Sequence, residues 1–352
     1  MNDTTLIEFL SPHWRIHRQR LVFIAQLVVS LVLVRTVSWT RLTNAIDGPG
    51  AGGVASAAYR RIQRLFGWAG FSQENYCRLV LSLVGDRKLT LVMDRTDWKL
   101  GQTPLNILIL GLVWQGIAIP LVWTVLGKSG NSSMTERIAL LDQLFQTAPQ
   151  LNGQIEAFLA DREFIGADWL VYLREKHIPR CIRIRKNFRT GSTGQGASVE
   201  TFFRHLKVGQ EQTLKRRKRI HGELLYLVAL RLEDDLLIIA TDLKPQHGLK
   251  TYGLRWGIET LFGCLKSRGF NLEQTHVTDP HKLARLLILL SVAVLWAFSA
   301  GLWLHQKQPI PLKKHGRRAI SLFRKGLDFL ERQLRNRSLS VPVHVFQLLS
   351  CT

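Results

Sequence analysis

The stretch YGLRWGIETLFGCLK, residues 252–266, restricts the possible folds more than any other part of the chain. Read as a helix turning about 100° per residue, it places Tyr252, Arg255, Glu259 and Lys266 within an arc of about 60°. One carboxylate is then flanked by two cations and a phenol, where a helix made only for packing would carry Leu or Val. The arrangement suits a metal-binding acid held beside a phosphodiester, with Arg and Lys taking phosphate oxygens. The plainer alternative is a solvated stripe of i,i+4 and i,i+7 ion pairs. If the first reading holds, other carboxylates must reach this face, because a hard cation such as Mg²⁺ wants several oxygen ligands.

The rest of the chain favours an anionic partner. Lys and Arg number 48 against 26 Asp and Glu, a net charge of +22, and 46% of the 352 residues are apolar, enough for a substantial core. Charge sets the class of partner and leaves the activity open. The four cysteines, Cys77, Cys181, Cys264 and Cys351, are far apart and form no zinc spacing, which implies a reducing cytosol and no structural zinc. Three uncharged runs raise the question of a membrane. Residues 21–34 are too short to span, and 100–127 contain Asn106, Gln115-Gly116 and Pro120, the chemistry of two buried strands about a tight turn. Leu286 to Leu304 is the best spanning candidate, and a fully buried helix has the same composition.

Residues 1–85 read as helical and basic: an apolar helix near 15–35, a short segment around Trp39–Ile46, a Gly/Pro turn at 47–53, and a helix carrying Tyr59, Arg60, Arg61 and Arg64. That order is compatible with a helix-turn-helix laying its second helix on DNA. From residue 89 the pattern turns to strands. LTLVMD is an apolar run ending in an acid, and 106–114 with 117–125 form an antiparallel pair. Ser132-Ser133 cap a helix to about Phe145 with Glu136 completing a capping box, IEAFLAD (155–161) is a strand ending in an acid, 167–176 is a helix, and CIRIR (181–185) is a strand. Residues 188–250 interrupt this pattern with a hairpin, 224–231 and 236–242, preceded by five consecutive cations, Lys215, Arg216, Arg217, Lys218 and Arg219, too dense to be buried and suited to a phosphate backbone. Helices follow at 253–267, 281–304 and near 317–334, the last in a basic tail to which no chemistry is assigned.

The spacing Y-x2-R-x3-E-x6-K resembles the signature of bacterial insertion-sequence DDE transposases of the IS-four family. LTLVMDRTDW (89–98), NILILGLVWQGIAIPLVW (106–123) and LADREFIGADWL (159–170) resemble the same family, in its order, over roughly residues 85–305. The resemblance implies an α/β fold: a ribonuclease-H-like catalytic core (86–304) with a β-rich insertion (188–250), preceded by a helical DNA-binding domain (1–85) and followed by a basic helical tail (305–352). It makes Asp94, Asp161 and Glu259 the catalytic and metal-binding acids, holding two Mg²⁺ ions, with Mn²⁺ as an alternative. Asp97 is the rival to Asp94 and Glu273 the less favoured substitute for Glu259. Arg162 and Glu163 are expected to support Asp161 through ion pairs, and Trp256 to pack in the core or stack on an unpaired base.

On the same resemblance, Tyr252, Arg255 and Lys266 bind the element's terminal phosphates, and Arg60, Arg61, Arg64 and the cations 215–219 contact DNA. The implied activity is metal-dependent cleavage at the ends of an insertion sequence, then strand transfer into target DNA by cut-and-paste. The implied partners are terminal inverted repeats, target DNA and a second copy in a synaptic dimer; a membrane is not expected, and the location is cytoplasmic, at the nucleoid. Two alternatives remain: a metal-dependent DNA nuclease of the same fold, and an inactive DNA-binding derivative.

Overall fold

The computed structural model describes residues 4–14, 16–48, 56–191, 194–314 and 316–336. Five helices come first: α1 (Thr4–Leu10), α2 (Arg18–Val34), α3 (Trp39–Asp47), α4 (Ala57–Gly67) and α5 (Gln73–Val84). Serine oxygens start two of them, Ser56 accepting from the Tyr59 amide and Ser72 from the Asn75 amide. Most of the expected Gly/Pro turn between α3 and α4 lies outside the described residues. The apolar run 21–34 is α2, and its buried side chains belong to the same core as the sheet described next.

The strands β1 (Leu89–Leu100), β2 (Thr103–Trp114) and β3 (Ile117–Leu126) form an antiparallel meander. Gln115 and Gly116 turn between β2 and β3 at φ of 48° and 91°, the paired left-handed geometry that a two-residue hairpin requires. Then come α6 (Met134–Thr147), β4 (Ile155–Ala160), α7 (Ala167–Glu175) and β5 (Arg180–Ile184). The Ser133–Glu136 capping box starts α6 as expected. β4 lies parallel to β1, and β5 parallel to β4. β1 differs from expectation by running past Asp94 to Leu100. Its first five residues pair with β4, the last three of them with β2 as well, and are buried, whereas beyond Met93 only β2 remains as a partner and the strand becomes half exposed.

Residues 211–241 supply β6 (Glu211–Thr213), β7 (Lys218–Ile220), β8 (Glu223–Arg231) and β9 (Leu236–Thr241). The expected hairpin is β8–β9, and β9 pairs antiparallel with β5, so these strands continue the sheet in the order β3-β2-β1-β4-β5-β9-β8-β6, with β7 beside β8. The seam is fixed by Arg180, buried at the start of β5, which bonds to Asp242 at 2.6 Å and Glu223 at 3.0 Å. Lys218 and Arg219 lie in β7, joined to β8 across a turn at His221 and Gly222, so the five cations are only partly a loop.

The helix expected at 253–267 is two helices, α8 (Pro245–Gly253) and α9 (Trp256–Leu265). Between them the amides of Leu254, Arg255, Gly257 and Ile258 each bond to the carbonyl three residues earlier, a 3₁₀-type turn that tightens the path. Two helices complete the chain, α10 (Pro280–Lys307) and α11 (Leu322–Arg335). α10 is long and apolar enough to cross a membrane, and its apolar window is almost entirely buried within the protein, against α2, β3 and α11 among others. Where α10 and α11 cross, a Cβ on Gly301 would overlap the Leu322 carbonyl and one on Gly326 the Ala297 carbonyl, so backbone meets backbone there. Arg35, in left-handed conformation at the end of α2, ties α11 to that helix through Glu331 at 2.6 Å and through Asp328.

Candidate active site

The parallel register explains how two distant acids come together. Met93 in β1 pairs with Ala160 in β4, and the next residue on each strand is an acid, Asp94 and Asp161. Glu259 comes from the first turn of α9, which packs across β1, β2 and β3. Glycine permits that approach: a Cβ on Gly257 would stand 3.0 Å from the Ile117 carbonyl carbon.

Arg255 joins β1 to α9. Its Nη1 donates to Asp94 Oδ2 at 2.7 Å and its Nη2 to Glu259 Oε1 at 3.3 Å. The Asp94 Oδ1 accepts from the Arg95 amide at 2.8 Å. Asp161 accepts from the Arg162 amide at 2.7 Å and has Arg183 Nη1 at 3.7 Å. Arg183 in β5 follows from the same logic as the acids, since Ala160 pairs with Ile182 and the next step brings Asp161 level with Arg183. Tyr252, only 8% exposed, lies within electrostatic reach of Arg255, Asp161 and Arg183.

Burial shapes the ionisation of this cluster. It pushes the Asp94 carboxyl up to about 6, against the pull of Arg255 and the Arg95 amide, with Glu259 and Glu163 adding to the rise. Burial acts in the opposite sense on Arg255, yet Tyr252, Asp94, Asp161 and Glu259 together hold its guanidinium above the usual value. Burial also raises the Tyr252 phenol, which stays protonated at neutral pH.

Among the described residues no three Asp, Glu, His or Cys side chains stand in one set that could hold a metal ion. The donor type nevertheless suits a hard divalent cation, since Asp94 and Glu259 share the Arg255 guanidinium and the β1–β4 register sets Asp161 level with Asp94. Arg255 bridges Asp94 and Glu259 in this arrangement.

Several expected roles fall elsewhere. Glu163 pairs with Arg95 at 3.0 Å, and Arg162 is exposed and offers Asp161 its backbone amide, so the expected ion pairs to Asp161 are replaced by Arg183. Lys266 caps the end of α9, pairs with Glu273 at 2.7 Å, donates to the Asp97 carbonyl and lies 5.7 Å over the Trp98 ring. Asp97, its side chain 61% exposed, pairs with Arg95 at 3.2 Å, away from the Arg255 bridge. Trp256 is 66% exposed at the start of α9, which overturns the packing role. Arg60, Arg61 and Arg64 lie on α4, where Arg61 stacks over Phe23 at 3.9 Å. Arg217 lies over Tyr226 at 4.6 Å and Lys218 over Phe202 at 4.7 Å, while Lys215, Arg216 and Arg219 are exposed. Cys77, Cys181 and Cys264 are buried free thiols.

Sequence reasoning passed over Arg183 and Arg95. The signal for Arg183 was its cation inside the apolar strand CIRIR; for Arg95 it was adjacency to Asp94 alone, which carries little information.

The described geometry can be set beside known proteins. The chain matches the family model of the transposase DDE domain over residues 87–296. Among solved structures it is similar to a piggyBac transposase synaptic complex with hairpin DNA, with 12% identity, 99% of this chain and 81% of that chain covered, and a TM-score of 0.45. It is similar to the catalytic domain of human endonuclease V, with 13% identity, 55% and 92% covered, and a TM-score of 0.31. The Bacillus subtilis endonuclease V gives 12% identity, 55% and 90% covered, and a TM-score of 0.26. These scores are too low to assign a fold, and no curated protein matches. The family match spans more than half of the chain and includes Asp94, Asp161, Arg255 and Glu259; the chain belongs to the transposase DDE-domain family.

Proposed function

We propose that this transposase is the cut-and-paste enzyme of an insertion sequence, of the IS-four type, with Asp94, Asp161 and Glu259 as its catalytic carboxylates. The observation that carries this reading is that Arg255 bridges Asp94 and Glu259, with Asp161 set beside Asp94 by the β1–β4 register, inside the segment that matches the family. The strand order β3-β2-β1-β4-β5, with β4 and β5 parallel to β1, supports a ribonuclease-H-like core. The helices of residues 1–85 serve as the DNA-binding domain, and residues 188–250 as a β-rich insertion that presents Lys215, Arg216, Arg217, Lys218 and Arg219 to a DNA backbone.

Two Mg²⁺ ions, or Mn²⁺, held by Asp94, Asp161 and Glu259 would supply activation of the attacking oxygen and neutralisation of the leaving one. The chain's own residues do the positioning. Arg255 is a bridging cation in the protein alone and a phosphate ligand when the element's end enters, because its fork suits either oxyanion. The buried Tyr252 hydroxyl donates toward the same phosphate. Arg183 keeps Asp161 oriented, and the Glu163–Arg95 pair braces the strand beside Asp94. Lys266, beside Asp97 and Trp98, takes a phosphate further along the end. The exposed Trp256 offers a face on which an unpaired base can stack. Action on two ends calls for a synaptic dimer, working on chromosomal DNA in the cytoplasm.

The test is excision of a marker flanked by the element's native ends, in cells making wild type or Glu259→Gln. Excision by wild type alone supports the reading. Equal excision by both proteins rules out the role of Glu259.

A further inference from the structure

A cleft of about 940 Å³ opens between α2 and α4, and among the described residues its lining includes His17, Arg20, Arg61, Arg64 and Trp68 but no acid. The two helices reach this cleft from opposite sides, Arg20 from the first turn of α2 and Arg61 and Arg64 from α4. Two of the guanidinia are held by aromatic rings: Arg20 lies 4.1 Å over Trp68 and Arg61 3.9 Å over Phe23. Trp68 is itself fixed, since its ring packs over Gly70 where a Cβ would collide with it. None of Arg20, Arg61 and Arg64 forms a salt bridge within the described residues. Burial and the neighbouring Arg64 pull the Arg61 guanidinium below its usual value, with Asp47 partly offsetting them.

Like charges gathered on two helices and fixed by stacking are costly unless an anion completes them. A solvated basic face would let these side chains spread; here ring contacts hold Arg20 and Arg61 around one concavity, with the exposed Arg64 on its lining. A helix-turn-helix reading, in which α4 alone lies on DNA, gives no part to Arg20. We propose that this cleft grips the phosphodiester backbone of duplex DNA, with Arg20 from α2 and Arg61 and Arg64 from α4 as the phosphate ligands. The inference rests on the reading of the protein as a DNA transposase; Arg61 and Arg64 were already expected to contact DNA, and the structure adds Arg20 of α2 and the cleft that gathers the three. A backbone contact is independent of base sequence, so the cleft positions the element's end and leaves base reading to other residues.

The test measures binding of the full chain to two labelled duplexes, the element's end and an unrelated sequence, across a salt series. Arg20→Gln and Arg64→Gln are exposed substitutions that leave the stacked Arg61 in place, and Arg41→Gln on α3 is the charge-matched control outside the cleft. Each cleft variant should weaken binding to both duplexes severalfold and reduce the slope of log K against log salt by about 0.9, and the pair by about 1.8. Arg41→Gln should change the slope much less. Wild-type binding by both cleft variants, losses no larger than that of Arg41→Gln, or a loss confined to the element's end would each overturn the backbone cleft while leaving the transposase reading intact. A wild-type chain that binds neither duplex would overturn the DNA reading itself.

Discussion

At the scale of single residues, the candidate site is a problem of buried charge. Asp94 has its ionisation raised to about 6 from an ordinary 3.8, so the folded chain holds this proton more tightly than the unfolded chain. The linkage sign follows. The contribution is most favourable below about pH 4, is lost as pH rises through about 6, and amounts to roughly 3 kcal/mol at 1.36 kcal/mol per unit. In chelator, the melting temperature of Asp94→Asn should therefore gain on wild type between pH 4 and pH 8; a constant difference across that range would contradict the burial argument. Arg255 is the counterpart. Arg255→Ala leaves Asp94 and Glu259 without their cation and should cost about 3 kcal/mol in urea unfolding at pH 8, much less at pH 5 where Asp94 can protonate. Asp94, Asp161 and Glu259 were legible in the sequence because each acid adjoins an apolar segment and a resemblance tied them together. Arg183 was not singled out, since its place beside Asp161 depends on the β4–β5 register.

At the scale of elements, most strands and helices followed from local chemistry. The Gln115-Gly116 turn and the Ser133–Glu136 box set their elements where the residues indicated. The break between α8 and α9 was not visible, because Leu254 and Arg255 keep helical dihedrals and only the hydrogen-bond pattern changes. That break matters to the site: it holds Arg255, which bonds to Asp94 and to Glu259. The crossing of α10 and α11 was equally hidden, since a glycine in an apolar helix does not name its partner. Gly326→Val should lower stability by more than 3 kcal/mol, measured by urea unfolding, because backbone on both sides leaves no room to relax. Tolerance of valine there would show that the helices do not cross at this glycine.

At the scale of the whole molecule, a net charge of +22 and one continuous apolar core pull in different directions. The charge lies with the side chains at the surface, and α10, apolar along most of its length, is buried where α2, α11 and β3 meet. The composition of α10 could not distinguish a membrane span from a buried helix; in this fold its apolar window is packed inside the protein. The central claim is that three acids from β1, the end of β4 and α9 act as one catalytic unit. Single-turnover cleavage of a duplex carrying the element's end, in Mg²⁺, tests it most directly with Asp94→Asn, Asp161→Asn, Glu259→Gln and the Asp161→Asn/Glu259→Gln double variant. The account expects each single change to cost on the order of 10³-fold or more with DNA binding retained, and the double to cost no more than a single, as groups that act together do. Near-normal cleavage by Asp161→Asn, or losses that multiply in the double variant, would contradict it.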